Sequence, residues 1–310
     1  MKNKIRIGTR GSQLALWQAN HVKDCIKALF PELEVELEII KTKGDKILDR
    51  PLALVGGKGL FVKEIETALL NGDIDLAVHS MKDMPGELPP GLTIGAIPER
   101  ENPFDVMISK DGKDLADYAQ GAKVGTSSLR RSSQLKHARP DLEIASIRGN
   151  LDTRLRKLHD GEYDAIVLAA AGLRRLGQES EITQYLGEAD MVPAVGQGAL
   201  CIETRENDPD IDPIMAKLDH EATRVCVLGE RAFLKEIEGS CHIPVACFGK
   251  IQGDQVQLVA MVASEDGTEM IREEVVSSPD AVEENGRKLA ARILDRGGRA
   301  ILEALNSHDG

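Results

Sequence analysis

The chain has 310 residues, 42% of them hydrophobic and 29% charged, the make-up of a soluble globular protein with room for two or three domains. A formal net charge of −12 argues against a general binder of nucleic acid or anionic membrane, whose affinity rests on a basic surface. Aromatic residues, at 3%, leave few platforms on which bases could stack.

The N-terminus, MKNKIRIGTR, has no apolar core of a signal peptide, and no apolar run approaches the roughly 18 residues of a membrane span. The expected compartment is therefore the cytoplasm, with no membrane and no nucleic acid among the partners. After the opening segment, IRIGT reads as a strand. SQLALWQANHVKDCIKALF reads as a helix with Ser12 as its N-cap. EVELEIIKT alternates like a strand, residues 60–71 are helical, IDLAVHS is a strand and GLTIGAIP follows. This β-α-β rhythm predicts a mostly parallel sheet covered by helices. The Gly-rich stretch 49–61 is expected to be a mobile loop.

A second, similar series starts near residue 103. FDVMIS, AKVGTSS, EIASIRG and YDAIVLAAA read as strands, with helices at LRRSSQLKHAR and LDTRLRKLHD. VGQGALCIETR, residues 195–205, can return the chain to the first series. From about residue 219 the texture changes. A long helical run is followed by three alternating strands (VACFGKI, QVQLVAMVAS, MIREEVVS) and an amphipathic helix over roughly 280–296. That pattern predicts a small α+β domain with an antiparallel sheet.

Several stretches carry chemistry. HSMKDMP, residues 79–85, follows an apolar strand and crowds His79, Ser80, Lys82 and Asp83 onto one turn. Ligands of open α/β sheets bind at such strand ends. KVGTSSLRRSSQL, residues 123–135, runs from a strand into a helix start, where backbone N–H groups and hydroxyls favour anions. Arg130 and Arg131 lie in that first turn, where the helix dipole disfavours cations, so a bound anion is expected beside them. Between residues 121 and 175 eight Arg and three Lys face six acidic residues, a local +5 inside an acidic chain. Arginine's planar fork suits carboxylate or phosphate. GGKG at 56–59 is not a phosphate loop, because Leu52 and Gly59 stand where the pattern needs Gly and Ser or Thr. No metal site is expected, as no His or Cys cluster has ligand spacing.

Of five cysteines, Cys25, Cys201, Cys226 and Cys247 lie in apolar or helical contexts and read as buried small hydrophobes. Cys241 differs. It sits in EGSCHIPV, on a turn flanked by Gly and Pro, where a bulky ligand could approach a nucleophilic thiolate. A turn-mounted thiol, a strand-end carboxylate and an arginine-lined groove together suggest a covalently held, polyanionic ligand.

The stretches RIGTRGSQLALWQA, KTKGD, GGKGLFVKEIE, DLAVHSMKDMP, VGTSSLRRSSQL, IRGNLDTRLRKL, VPAVGQGAL and ERAFLKEIEGSCHIPV resemble, in this order, the porphobilinogen deaminase (hydroxymethylbilane synthase) family. The resemblance covers essentially the whole chain. It implies a transferase that joins four porphobilinogen units, with loss of ammonia, onto a dipyrromethane cofactor bound as a thioether to Cys241. Water then releases hydroxymethylbilane. It implies that Asp83 steadies the pyrrolic cation and shuttles protons. Cofactor contacts are implied at Lys82, Asp83, Thr126, Ser128, Arg130, Arg131 and Arg148. Substrate contacts are implied at Arg10, Ser12, Ser80, Arg148, Arg154, Arg175, Gln197 and Gly198, and a mobile loop at Asp45 and Lys58. The chain departs from the family's usual residues at Leu54, Ser240 and His242.

The fold implied is two periplasmic-binding-protein-like α/β domains, residues 1–99 with 199–217 and 100–198, plus an α+β domain, 218–310, carrying the cofactor cysteine. A monomer is implied, with hand-off of product to a downstream tetrapyrrole cyclising enzyme. The rival from another class is a non-catalytic, two-domain binder of small anions. It accounts for the arginines but needs neither Asp83 nor a turn-mounted Cys241.

Overall fold

The computed structural model describes residues 2–46, 62–237 and 243–307, with 45, 46, 306 and 307 by backbone alone. The chain divides into two compact units, Met1–Glu101 with Ala199–Arg224, and Asn102–Gly198 with Val225–Gly310.

The first unit is built on a five-stranded sheet of β1 (Lys4–Thr9), β2 (Glu34–Ile39), β3 (Leu76–Ser80), β4 (Leu92–Ala96) and β10 (Leu200–Arg205), in the order β2-β1-β3-β10-β4. β1 runs parallel to β2 and β3, while β10 runs antiparallel to β3 and β4. Helix α1 (Gln13–Leu29) starts where Ser12 Oγ accepts the Ala15 N–H at 3.3 Å, as its sequence predicts. A short turn of helix, α2 (Lys43–Lys46), follows β2, and α3 (Lys63–Asn71) ends at Gly72, whose φ of 76° suits a residue without Cβ. The sheet is apolar on both faces. Ile5, Ile7, Leu76, Val78, Leu200 and Ile202 join one core with Ala19, Val22 and Ile26 of α1. Ala77 joins Ile65 and Leu69 of α3 on the other. β3 therefore reads as a continuous apolar run rather than an alternating one, as doubly covered strands do.

The second unit repeats this strand order with β5 (Asp105–Ser109), β6 (Lys123–Gly125), β7 (Glu143–Ala145), β8 (Ala165–Ala169) and β9 (Gln184–Leu186), as β7-β6-β8-β5-β9. Here too a single strand, β5, runs antiparallel between its neighbours. Helices α4 (Leu129–Ala138), α5 (Leu151–His159) and α6 (Ala170–Arg175) connect the strands. The sequence predicted a strand over 143–149, but β7 stops at Ala145 and α5 begins soon after. Asn150 caps it by accepting the Thr153 N–H at 2.9 Å. Gly149 adopts a φ of 112° just before that cap.

Helix α7 (Asp212–Leu218) and the strand β9 escaped the sequence reading; both are short, and β9 is only three residues. Helix α8 (Glu221–Glu236) matches the long helical run. The remainder of the second unit is the antiparallel sheet β11 (Val245–Gln252), β12 (Gln255–Ala263) and β13 (Met270–Ser277), backed by α9 (Val282–Ile293). Phe233, Leu258, Ala260, Val262, Leu289 and Ile293 form its core. A Cβ on Gly286 of α9 would collide with the Gly229 carbonyl of α8, so close helix packing requires glycine there. The chain kinks at Gly297, φ 115°, and continues as α10 (Arg299–Ser307), beyond the predicted end near 296. The expected α/β class and the small antiparallel sheet are both present.

Candidate active site

In the first unit β3 ends at Ser80, and the chain makes one 3-10 turn over Met81–Asp83. The Met81 N–H donates to Ala199 O at 3.0 Å, and the Met84 N–H to Met81 O at 3.1 Å. Those bonds and Pro85 hold the turn, which leaves the Asp83 carboxylate exposed and Lys82 half-buried. Asp83 borders a pocket of about 70 Å³ that Arg10, Ser12, Gln18, His79 and Ser80 also line. Gln18 Nε2 donates to Ser80 Oγ at 2.9 Å, tying the strand end to α1. Of the residues expected at the site, the fold brings Arg10, Ser12, Ser80 and Asp83 together around this pocket.

Beneath the pocket lies a buried cluster that sequence reasoning missed. His79 Nε2 stands 3.0 Å from Glu203 Oε2, at a sequence separation of 124. Glu203 Oε1 is buried without a hydrogen-bond partner. Burial, and then the neighbouring Glu203 charge, push the Glu66 carboxyl above its ordinary range. His79 stands in the HSMKDMP turn and Glu66 closes the stretch GGKGLFVKEIE, but nothing local in the sequence marks Glu203 or its meeting with either.

In the second unit β6 delivers Thr126 and Ser128 to the start of α4. Thr126 is buried, and its Oγ1 accepts the Ser128 N–H at 3.2 Å. Ser128 occupies the N-cap position, but its side chain makes no capping bond, so the first-turn N–H groups keep their pull on an anion. Arg130 and Arg131 are buried, and both turn to one carboxylate, that of Asp105. Burial works to raise the Asp105 carboxyl, but the two guanidiniums outweigh it and hold it far below the usual carboxylate range. The anion expected from the misplacement of these arginines in the first turn is therefore supplied, in part, by the protein itself.

Arg148 is exposed on the loop after β7, and Arg154 is half-buried, its Nε donating to Gly149 O at 2.9 Å. Neither has an acidic partner among the described residues. Burial, then the Arg131 charge, lower the Arg154 pKa, an electrostatic cost that a bound anion would relieve. Arg175 is buried and donates through Nη2 to Gly198 O at 2.7 Å. Gln197 is buried as well, donating through Nε2 to Pro103 O at 2.7 Å and to Asp105 Oδ1 at 3.1 Å. Arg175, Gln197 and Gly198 thus belong to an internal network of this unit.

Cys201, Cys226 and Cys247 are buried, as their contexts predict. Cys25 is half-buried with its Sγ 3.8 Å from His21 Nε2, and burial, then Asp24, push its thiol up. Its partial exposure departs from the burial that its helical context predicts. Cys241 and its neighbours Ser240 and His242, with Leu54 and Lys58, lie outside the described residues, as does the whole of the loop expected over 49–61. Of Asp45 only the backbone is described.

Residues 5–213 match the family model described as porphobilinogen deaminase, dipyromethane cofactor binding domain, and residues 224–295 match the C-terminal domain of the same family. The chain belongs to the porphobilinogen deaminase family. It is similar to the porphobilinogen deaminase of Syntrophobacter fumaroxidans, with 53% identity over 97% of each chain. The porphobilinogen deaminase of Pelobacter propionicus is 52% identical over 97% of this chain and 96% of its own. That of Syntrophomonas wolfei is 49% identical over 97% and 98%. Among solved structures, a probable amino-acid ABC transporter extracellular-binding protein from Bacillus subtilis covers 70% of this chain and 90% of its own at 13% identity, with a TM-score of 0.43, too slight a likeness to carry an argument.

The family's cofactor is a dipyrromethane. The residues present fit such a group. Arg148 and Arg154 have no acidic partner among the described residues, and α4 offers an uncapped N-terminus, which together suit ligand carboxylates.

Proposed function

We propose that this chain polymerises four porphobilinogen molecules, with loss of ammonia, on a dipyrromethane primer held through a thioether to Cys241, and releases hydroxymethylbilane by hydrolysis. The observation that carries this reading is the match of residues 5–213 to the family's cofactor-binding domain. The primer, when bound, supplies the nucleophilic pyrrole carbon for the first condensation.

Each condensation breaks the C–N bond to ammonia, forms a C–C bond and frees a proton from the attacking pyrrole carbon. Asp83 is the group assigned to that proton. Its carboxylate is exposed at a strand end, and the turn that carries it is fixed by backbone bonds to Ala199 and Met81. The same negative charge stabilises the transient cation of the ring. Arg10, Ser12 and Ser80 bind substrate carboxylates beside it, and Lys82 helps to hold the primer. In the second unit Thr126, Ser128, Arg130, Arg131, Arg148, Arg154 and Arg175 hold the acetate and propionate groups that every ring brings, with Gln197 and Gly198 contributing to substrate binding. The protein works as a monomer in the cytoplasm, organised as the three domains 1–99 with 199–217, 100–198 and 218–310. It passes hydroxymethylbilane to a cyclising enzyme. No described helix is long and apolar enough to cross a membrane.

The test is the intact mass of the purified chain beside Cys241→Ser. An excess equal to two linked pyrroles, absent from the variant, supports both the cofactor and its attachment point. A bare chain that gains no mass on incubation with porphobilinogen would refute the reading. Colour with Ehrlich's reagent separates a pyrrole-carrying enzyme from a binder of small anions.

A further inference from the structure

Arg130 and Arg131 follow each other in the first turn of α4, yet both reach one side chain on β5. Arg130 Nη1 donates to Asp105 Oδ2 at 2.7 Å and its Nη2 to Oδ1 at 3.1 Å, while Arg131 Nε donates to Oδ1 at 2.8 Å. Gln197 Nε2 adds a contact to Oδ1. Backbone carbonyls clamp the same guanidiniums from other sides, Val192 O on Arg130 Nη1 at 2.8 Å and Val167 O on Arg131 Nη1 at 3.0 Å. Asp105 has no solvent exposure. Three of the five N–H groups of Arg130 are engaged in this way, so its orientation is fixed before any ligand arrives.

We infer that Asp105 is a positioning and specificity-determining residue: a built-in carboxylate that orients Arg130 and Arg131 and cuts their joint charge from +2 to +1, so that the pair suits one ligand carboxylate rather than a dianion such as phosphate. The inference rests on the proposed function, which makes the ligand a set of pyrrole carboxylates. Asp105 stays ionised at any working pH, because the two arginines keep its carboxyl far below the usual range. Arg154, which feels the Arg131 charge and has no acidic partner among the described residues, then supplies the next positive charge. An arginine pair left at +2 would bind cellular phosphate in competition with substrate. An internal carboxylate removes that competition without occupying the ligand's place, because it reaches the guanidiniums from within the sheet.

The experiment compares the wild-type chain with Asp105→Asn. Three quantities are read: mass gain with porphobilinogen, KM against kcat, and inhibition of turnover by inorganic phosphate. The expected variant melts as a folded protein, takes up pyrrole mass at least about tenfold more slowly, and shows KM raised and phosphate inhibition strengthened by about tenfold each, the size of one lost or gained hydrogen bond to a charged group. A merely structural ion pair would not move the phosphate sensitivity. A folded Asp105→Asn chain with wild-type loading, KM and phosphate response overturns the inference. If Asp105→Asn does not fold, the charge-balanced chain Asp105→Asn with Arg130→Gln carries the test. The reference is then Arg130→Gln alone, since Arg130 itself holds the ligand: loading slower than that reference, with ordinary phosphate sensitivity, supports the positioning of Arg131 by Asp105, and loading equal to it overturns the inference. Failure of both chains to fold would make Asp105 a residue of the fold alone and also overturn it. Absence of mass gain in the wild-type chain would instead sink the proposed function.

Discussion

Replacing Arg154 by Met separates a ligand-binding arginine from a structural one by the sign of two effects. Among the described residues the side chain makes one intramolecular hydrogen bond, Nε to Gly149 O, whose loss costs about 1 kcal/mol. Against that, burial and the like charge of Arg131 both disfavour the guanidinium in the folded state, so removing the charge returns free energy to the fold. The two contributions oppose each other. Stability should therefore change by less than about 1 kcal/mol, or about 2–4 °C in Tm. Binding should behave differently, because a charge-assisted bond to a ligand carboxylate is worth about 1.5–3 kcal/mol, a factor of about ten to 150. The assay is a thermal melt of the primer-loaded chain together with KM for porphobilinogen. Unchanged Tm with KM raised at least about tenfold is expected. A Tm lowered by more than about 5 °C with unchanged KM would show that Arg154 serves the fold, and the account of the unpaired arginines would fail.

Asp83→Asn should leave stability within about 0.5 kcal/mol, because the side chain is exposed, and lower turnover by about 10²–10⁴ with primer attached; a folded, loaded variant with more than a tenth of wild-type turnover would refute the proton role. Gly286→Ala should destabilise the chain by about 1–3 kcal/mol in urea unfolding, since the added methyl meets the Gly229 carbonyl, and an unchanged midpoint would contradict that packing. Burial works to raise the Asp75 carboxyl, but Lys2 and the Arg6 N–H outweigh it and the folded-state pKa is depressed. Its contribution is then fully present above the unfolded-state value near ~4 and lost as pH falls through the lower folded-state value. Asp75→Asn should accordingly be less stable than wild type at pH 7, and the gap should close on acidification below about pH 4; a gap independent of pH would refute the pairing.

Most of the architecture was legible because it is written in short-range pattern. The apolar spacing of α1 and its Ser12 cap, the doubly buried run of β3, and the alternation of β13 each depend on residues within one element, whereas β11 and β12, expected to alternate, are buried along most of their length. The motif around Asp83 was legible for the same reason. A strand followed directly by a tight polar turn places those side chains at the strand end whatever the rest of the chain does. Short elements such as β9 and α7 were not legible, since three to seven residues give too few periods to distinguish from a loop.

Recognition of the family also came from contiguous stretches, and the comparisons agree with it. The sequence by itself therefore determined the class of fold and the family, and it nominated the candidate ligand-binding side chains. What only the tertiary structure decided is which charges are already spoken for. The sequence shows Arg130, Arg131, Arg148 and Arg154 all as candidate anion binders, without saying which of them the protein itself neutralises. The fold gives the first two a shared carboxylate, Asp105, on a strand 25 and 26 residues away, and gives the other two no acidic partner among the described residues. Likewise His79 meets Glu203 only because β10 enters the first sheet beside β3. Such pairs depend on a strand order that departs from chain order, and no local pattern encodes the partner of a buried charge.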